Sequence, residues 1–131
     1  MAREPIVPLN SPPSLAPYSP GARAGDLVFV SGVLSMGDDG AIVGAGDVVA
    51  QTRRVLEIIR SVVEAAGGSM NDIVFNQIFL KDLSDYAGMN SVYKEFFPKD
   101  FPARYCIRAD LVKPEFLVEI ASTAHIPQAS G

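Results

Sequence analysis

Ile73-Val74-Phe75-Asn76-Gln77-Ile78-Phe79-Leu80 is the stretch that decides the fold. Eight residues rich in β-branched and aromatic side chains are too few for a typical helix and read as a strand. Ile73, Phe75 and Phe79 alternate with Val74, Ile78 and Leu80. Both sides of the sheet that carries this strand therefore have to leave water.

Upstream, Val48, Thr52, Val55, Leu56, Ile59, Val62, Val63 and Ala66 recur at three- and four-residue spacing, opposite a charged stripe of Arg53, Glu57, Arg60 and Glu64. This is an amphipathic helix. Asp47 can accept from the unpaired N–H groups at its start, and Gly67-Gly68 offers the left-handed residue that often ends a helix. Downstream, Ser84 is placed to cap a second helix, whose inner stripe of Tyr86, Met89, Tyr93, Phe96 and Phe97 stops at Pro98. Ala103 to Asp110 alternates as a strand, with Arg104, Cys106 and Arg108 on one side and Tyr105, Ile107 and Ala109 on the other. Leu117 to Ile126 reads as a last strand. Towards the N-terminus, Leu27 to Leu34 reads as a strand, and the turn residues Gly37-Asp38-Asp39-Gly40 predict a hairpin with Ala41 to Val43.

The order of strand hairpin, helix, strand, helix, strand, strand predicts one α+β domain over residues 1–131, with a proline-rich lead over 1–14 and a tail over 127–131. Crossover helices fall on one face of a mixed sheet by the right-handed rule. Two helices cannot cover both faces, so another subunit is the expected cover.

Composition sets the outer limits. In 131 residues, 48% hydrophobic and 20% charged content excludes intrinsic disorder and coiled coil. Eleven basic against fifteen acidic residues leave a net charge of −4, which argues against nucleic acid as a partner. One cysteine and one histidine cannot form an intramolecular disulfide or a structural zinc site. The N-terminal stretch has prolines instead of a secretory signal's apolar core, and no apolar run approaches the roughly 18 residues of a membrane span. A cytoplasmic protein without membrane contact is expected.

A few residues could carry chemistry. Arg104 lies in a β-forming segment, where it is either a surface or ion-paired arginine or a guanidinium fork that holds a substrate carboxylate by two parallel hydrogen bonds. Glu119 interrupts Leu117-Val118-Glu119-Ile120-Ala121. It either turns to solvent, finds a partner, or lines a cleft. Together with Arg104 it would make an anion clamp and a group able to orient or deprotonate a water. Cys106 reads as a small buried hydrophobe, because only His125 could serve it as a base. Ser31-Gly32 lacks the pattern of a nucleophile elbow, and the glycines form no phosphate loop. Tyr18 reads as an anchor for the N-terminal segment and Asn90 as a polar residue on the second helix.

Taken together, Ala16-Pro17-Tyr18, Phe29-Val30-Ser31-Gly32, Gln51-Thr52-Arg53, Asn90 before Tyr93, Phe96-Phe97, Pro102-Ala103-Arg104, Cys106 and Val118-Glu119-Ile120 resemble the YjgF-like reactive-intermediate (Rid) imine deaminase family over residues 15–126. Ala50-Gln51-Thr52-Arg53, Phe75-Asn76, Pro102-Ala103-Arg104-Tyr105-Cys106-Ile107, Leu111-Val112-Lys113-Pro114 and Ile120 to Ile126 look most like its aminoacrylate deaminases of uracil breakdown.

The resemblance implies a chorismate-mutase-like fold and a homotrimer with three clefts between subunits. By the same resemblance Arg104 would hold the carboxylate of an enamine or imine substrate, and Glu119 would position the attacking water. Ser31, Gly32, Asn90 and Cys106 would shape the pocket, and Tyr18 and Tyr86 would border it. It implies no metal and no organic cofactor. The products are malonic semialdehyde and ammonia, or an oxo acid and ammonia if the substrate is a 2-imino acid. A non-catalytic oligomer that binds metabolites is the competing class.

Overall fold

Six strands form one mixed sheet in the computed structural model, which describes residues 2–129. They are β1 (Glu4–Ile6), β2 (Gly21–Ala24), β3 (Leu27–Val33), β4 (Ile73–Leu80), β5 (Ala103–Arg108) and β6 (Val118–His125), in the spatial order β1-β2-β3-β6-β4-β5. β4 and β5 are parallel, and the other pairings are antiparallel. The last strand thus enters the middle of the sheet, between β3 and β4.

Helix α1 (Val48–Ala65) begins where the Asp47 carboxylate accepts from the amide of Ala50 at 3.1 Å. It ends at Gly67, whose φ of 93° few side-chain-bearing residues adopt; the next amide, that of Gly68, reaches back to the Val63 carbonyl at 2.9 Å. Val55, Leu56, Ile59, Val62 and Val63 are fully buried against the sheet and α2 (Tyr86–Phe96). Each such aliphatic side chain contributes about 1.5–3 kcal/mol on leaving water. Arg53 of the charged stripe bonds Glu95 of α2 at 2.7 Å, an exposed pair of small energetic consequence. Both helices lie on one face, over Val28, Val30, Ile78, Leu80, Val118 and Ile120.

Four local expectations change. The partner of Leu27–Val33 in a hairpin is Gly21–Ala24, through a turn at Gly25 with φ 61°; the Gly37–Gly40 turn instead folds Ala41 to Val43 onto the residues after the strand, where Ile42 bridges Met36 and the amides of Gly37 and Val43 donate to the carbonyls of Ala41 and Ser35 at 2.8 and 3.0 Å. Gly21-Ala22-Arg23-Ala24 is too small-sided to show a strand pattern. The proline-rich lead also holds β1, where Pro5 is tolerated because the strand is an edge. Ser84 does not cap α2. The chain enters through a 3-10 turn, Leu83–Asp85, that the Asp82 carboxylate closes by accepting from the Ser84 amide at 2.9 Å. Finally, a bulge at Val74 turns Ile73 to the helix side, with Asn76, Ile78 and Leu80. Of the expected lead and tail, residues 1, 130 and 131 lie outside the described residues.

The other face of the sheet is uncovered. Phe29, Tyr105 and Ile107 are 45%, 41% and 49% exposed there. Phe75 and Phe79 pack edge-on to the Tyr105 ring with centroids 5.8 and 6.2 Å away.

Candidate active site

Arg104 sits on β5, the sheet edge, in register with Asn76 of β4, so its side chain rises on the helix side. The second helix meets it there with aromatic rings. The guanidinium carbon lies 4.6 Å from the Tyr93 centroid and 5.8 Å from that of Tyr86, and Nη2 donates to the Tyr86 hydroxyl at 3.1 Å. Ring faces attract the cation without neutralising it. The described residues hold two ion pairs, Arg53 with Glu95 and Arg54 with Asp38, so Arg104 has no carboxylate among them. Asn90, Tyr93, Lys94, Phe101 and Pro102 complete an open depression around it. A guanidinium so placed can receive an anion over a flat, aromatic floor.

Cys106 follows two residues on, on the same side of the strand and half-buried. Burial pushes its thiol pKa up, against the pull of the Arg104 charge. His125 lies exposed near the end of β6, on the other face of the sheet, so it cannot serve Cys106 as a base within one chain.

Glu119 belongs to a second constellation. It is in register with Phe79 of β4, three residues from the partner of Arg104, and so points to the face away from the helices. Its carboxylate lies against Cα of Gly32, where a Cβ would meet the side chain. Glycine is required for this close approach. Leu15, Tyr18, Ser31, Leu34 and Val112 share the same depression. Glu119 is half-buried, and desolvation alone pushes its carboxyl above the usual range; no described residue bonds or pairs with it.

Hydrogen bonds fix both ends of this second group. Ser31 Oγ donates to the Ser19 carbonyl at 2.6 Å, and the Tyr18 hydroxyl accepts from the Leu15 amide at 3.4 Å, folding the N-terminal segment beside the strand. Gln51, fully buried on α1, accepts from the Leu117 amide at 2.8 Å and donates to the carbonyls of Gly44 and Glu115 at 3.1 and 2.9 Å. That amide therefore sets where β6, and with it Glu119, begins.

The structure thus brings Tyr86, Asn90, Arg104 and Cys106 together on one side and Tyr18, Ser31, Gly32 and Glu119 on the other. Sequence reasoning placed Tyr93 in the core stripe and missed it as the floor under Arg104. The signal was available, since an arginine inside a strand needs something to lie on. Among the described residues no group of His, Cys, Asp or Glu gathers as a metal ligand set, and no helix is long and apolar enough to cross a membrane.

The profile of the endoribonuclease L-PSP family matches residues 8–126. The 3-aminoacrylate deaminase RutC of Acinetobacter baylyi is 50% identical over 126 residues, 96% of this chain and 100% of that protein. Two solved structures from E. coli share the fold. The YjgF gene product is 32% identical with a TM-score of 0.85, and TdcF with bound serine is 33% identical with a TM-score of 0.85; each comparison covers 93% of this chain and 98% of the other.

Proposed function

We propose that this chain, which belongs to the endoribonuclease L-PSP (Rid/YjgF) family, hydrolyses 3-aminoacrylate to malonic semialdehyde and ammonia as a cytoplasmic homotrimer. In each cleft Arg104 comes from one protomer, with Tyr86, Asn90 and Cys106, and Glu119 from its neighbour, with Tyr18, Ser31 and Gly32. The observation that carries this reading is the separation of the two groups on opposite faces of the sheet. Each half has what the other lacks: a cation without a carboxylate, and a desolvated carboxylate without a cation. The exposed Phe29, Tyr105 and Ile107 offer apolar area for the contact. The 50% identity to an enzyme named 3-aminoacrylate deaminase supports this substrate.

The chemistry asks little of the protein. Protonation of the enamine at C2 gives an iminium whose C3 accepts water. The Arg104 fork holds the carboxylate and fixes C3, while Glu119 takes a proton from the water as its oxygen bonds to C3. The carbinolamine collapses when that proton passes to nitrogen: the C–N bond breaks, ammonia leaves, and the hydroxyl oxygen forms the C=O bond as it gives up its proton to solvent, replacing the one taken up at C2. A carboxyl group whose pKa is raised by burial accepts and returns a proton more readily than a solvated one, as such a shuttle needs.

The serine bound to TdcF favours a second reading, in which the substrate is a 2-imino acid. The two differ in geometry, because the reacting carbon is bonded directly to the carboxylate in a 2-imino acid and is one carbon further away in aminoacrylate. The family description also names an endoribonuclease, but a chain of net charge −4 offers a poor surface for RNA. Ammonia release from freshly generated 3-aminoacrylate, beside 2-iminopropionate and an RNA substrate, tests the assignment. Faster turnover of 3-aminoacrylate is expected. Preference for 2-iminopropionate, binding without turnover, or RNA cleavage alone overturns it.

A further inference from the structure

Strand β4 is apolar on its helix-facing side at Ile73, Ile78 and Leu80, yet it places the amide of Asn76 there, fully buried. A buried amide gains little over an apolar side chain of the same shape even when its hydrogen bonds are made. Packing does not account for this one; its partners do. Ser122 Oγ, on β6 and 4% exposed, donates to Asn76 Oδ1 at 2.5 Å. Asn76 Nδ2 donates to the Tyr93 hydroxyl at 3.0 Å. The Tyr93 ring, 6% exposed, packs against Phe97 at 4.6 Å between centroids, and its face carries the Arg104 guanidinium.

We infer that Asn76 and Tyr93 are positioning residues for Arg104: the chain Ser122–Asn76–Tyr93 locks the ring on which the guanidinium lies, so that its free N–H groups meet a substrate carboxylate without first being ordered. This deepens the proposed deaminase reading and rests on it. Arg104 is a long side chain at a sheet edge, and a flexible fork loses rotamer freedom each time it clamps an anion. The π-face fixes the plane of the fork from below, and the Tyr86 hydroxyl fixes one corner. Burial pushes the Tyr93 phenol pKa up, so the ring stays neutral while the cation rests on it.

The test combines Tyr93→Phe, which keeps the ring and deletes the hydroxyl, with Arg104→Ala and the double variant. Each protein is assayed for kcat and KM with 3-aminoacrylate and titrated calorimetrically with malonate. Tyr93→Phe is expected to raise KM and weaken malonate binding about tenfold with kcat little changed, and to add nothing once Arg104 is alanine. Ser122→Ala, which frees the amide without touching the ring, gives a smaller loss in the same direction and serves alone if Tyr93→Phe does not fold. An unchanged KM in the variant that folds, a loss confined to kcat, or an equal loss in the Arg104→Ala background overturns the inference. If Arg104→Ala itself leaves malonate affinity intact, the clamp reading fails too, and the two failures are told apart.

Discussion

Arg104 and Glu119 lie on opposite faces of one β-sheet, their strands separated only by β4. The register makes this unavoidable, since Asn76 and Phe79, their partners on β4, are three residues apart and side chains alternate with a period of two. An active site that needs both has to be assembled between copies of the chain.

Replacing Arg104 by alanine removes the guanidinium fork of the clamp while leaving the helix-side core untouched. Loss of one partner of a desolvated charge pair costs about 2–5 kcal/mol, so kcat/KM for 3-aminoacrylate should fall accordingly, and lysine should restore little because it has no fork. Near-normal efficiency in Arg104→Ala, measured by ammonia release, would remove Arg104 from the site.

Glu119→Gln keeps the shape and cannot take a proton. Positioned acid–base groups contribute about 10²- to 10⁴-fold, and kcat should drop by that order while malonate still binds. Stability moves the other way. Desolvation raises the folded-state pKa of Glu119, so the folded protein holds this proton more tightly than the unfolded chain. Stability from that proton is present at low pH and is lost as pH rises through the folded pKa. The glutamine variant should therefore melt higher than wild type at neutral pH, with the gap closing on acidification; a gap that widens towards low pH would contradict the burial of Glu119.

Gly32→Ala puts a Cβ where the Glu119 carboxylate now rests, 3.1 Å from its Cδ. The carboxylate is the free end of a flexible side chain and moves aside, so the fold should persist. A displacement of about 1 Å at a catalytic group can cost on the order of 10²-fold in rate. Thermal melting within a few degrees of wild type, with kcat reduced by that order, is the expected pair of results, and full activity would show that the close approach is dispensable.

Much of this was legible in the amino-acid sequence. The spacing from Val48 to Ala66 and the apolar run from Ile73 to Leu80 mark α1 and β4, because long amphipathic periods and β-branched runs act locally. Gly21-Ala22-Arg23-Ala24 and Glu4-Pro5-Ile6 left no such trace; they are strands only because β3 offers a free edge to β2, and β2 in turn to β1. The bulge at Val74 is equally silent, as it follows from pairing with β6 some fifty residues away. Arg104 and Glu119 stood out as charges in apolar strands, whereas Asn76, Ser122 and Tyr93 gain their meaning only from a register that joins three elements.

The most direct test of the shared cleft mixes two inactive proteins. Arg104→Ala and Glu119→Gln are unfolded together in equal amounts and refolded, or co-expressed in equal amounts, and the whole population of assemblies is assayed for ammonia release from 3-aminoacrylate. If each cleft takes Arg104 from one protomer and Glu119 from the next, random assembly leaves about a quarter of the clefts with both native residues, and about a quarter of wild-type activity returns. If both residues act within one chain, every cleft in every hybrid keeps a defect, and activity stays at the level of the separate variants.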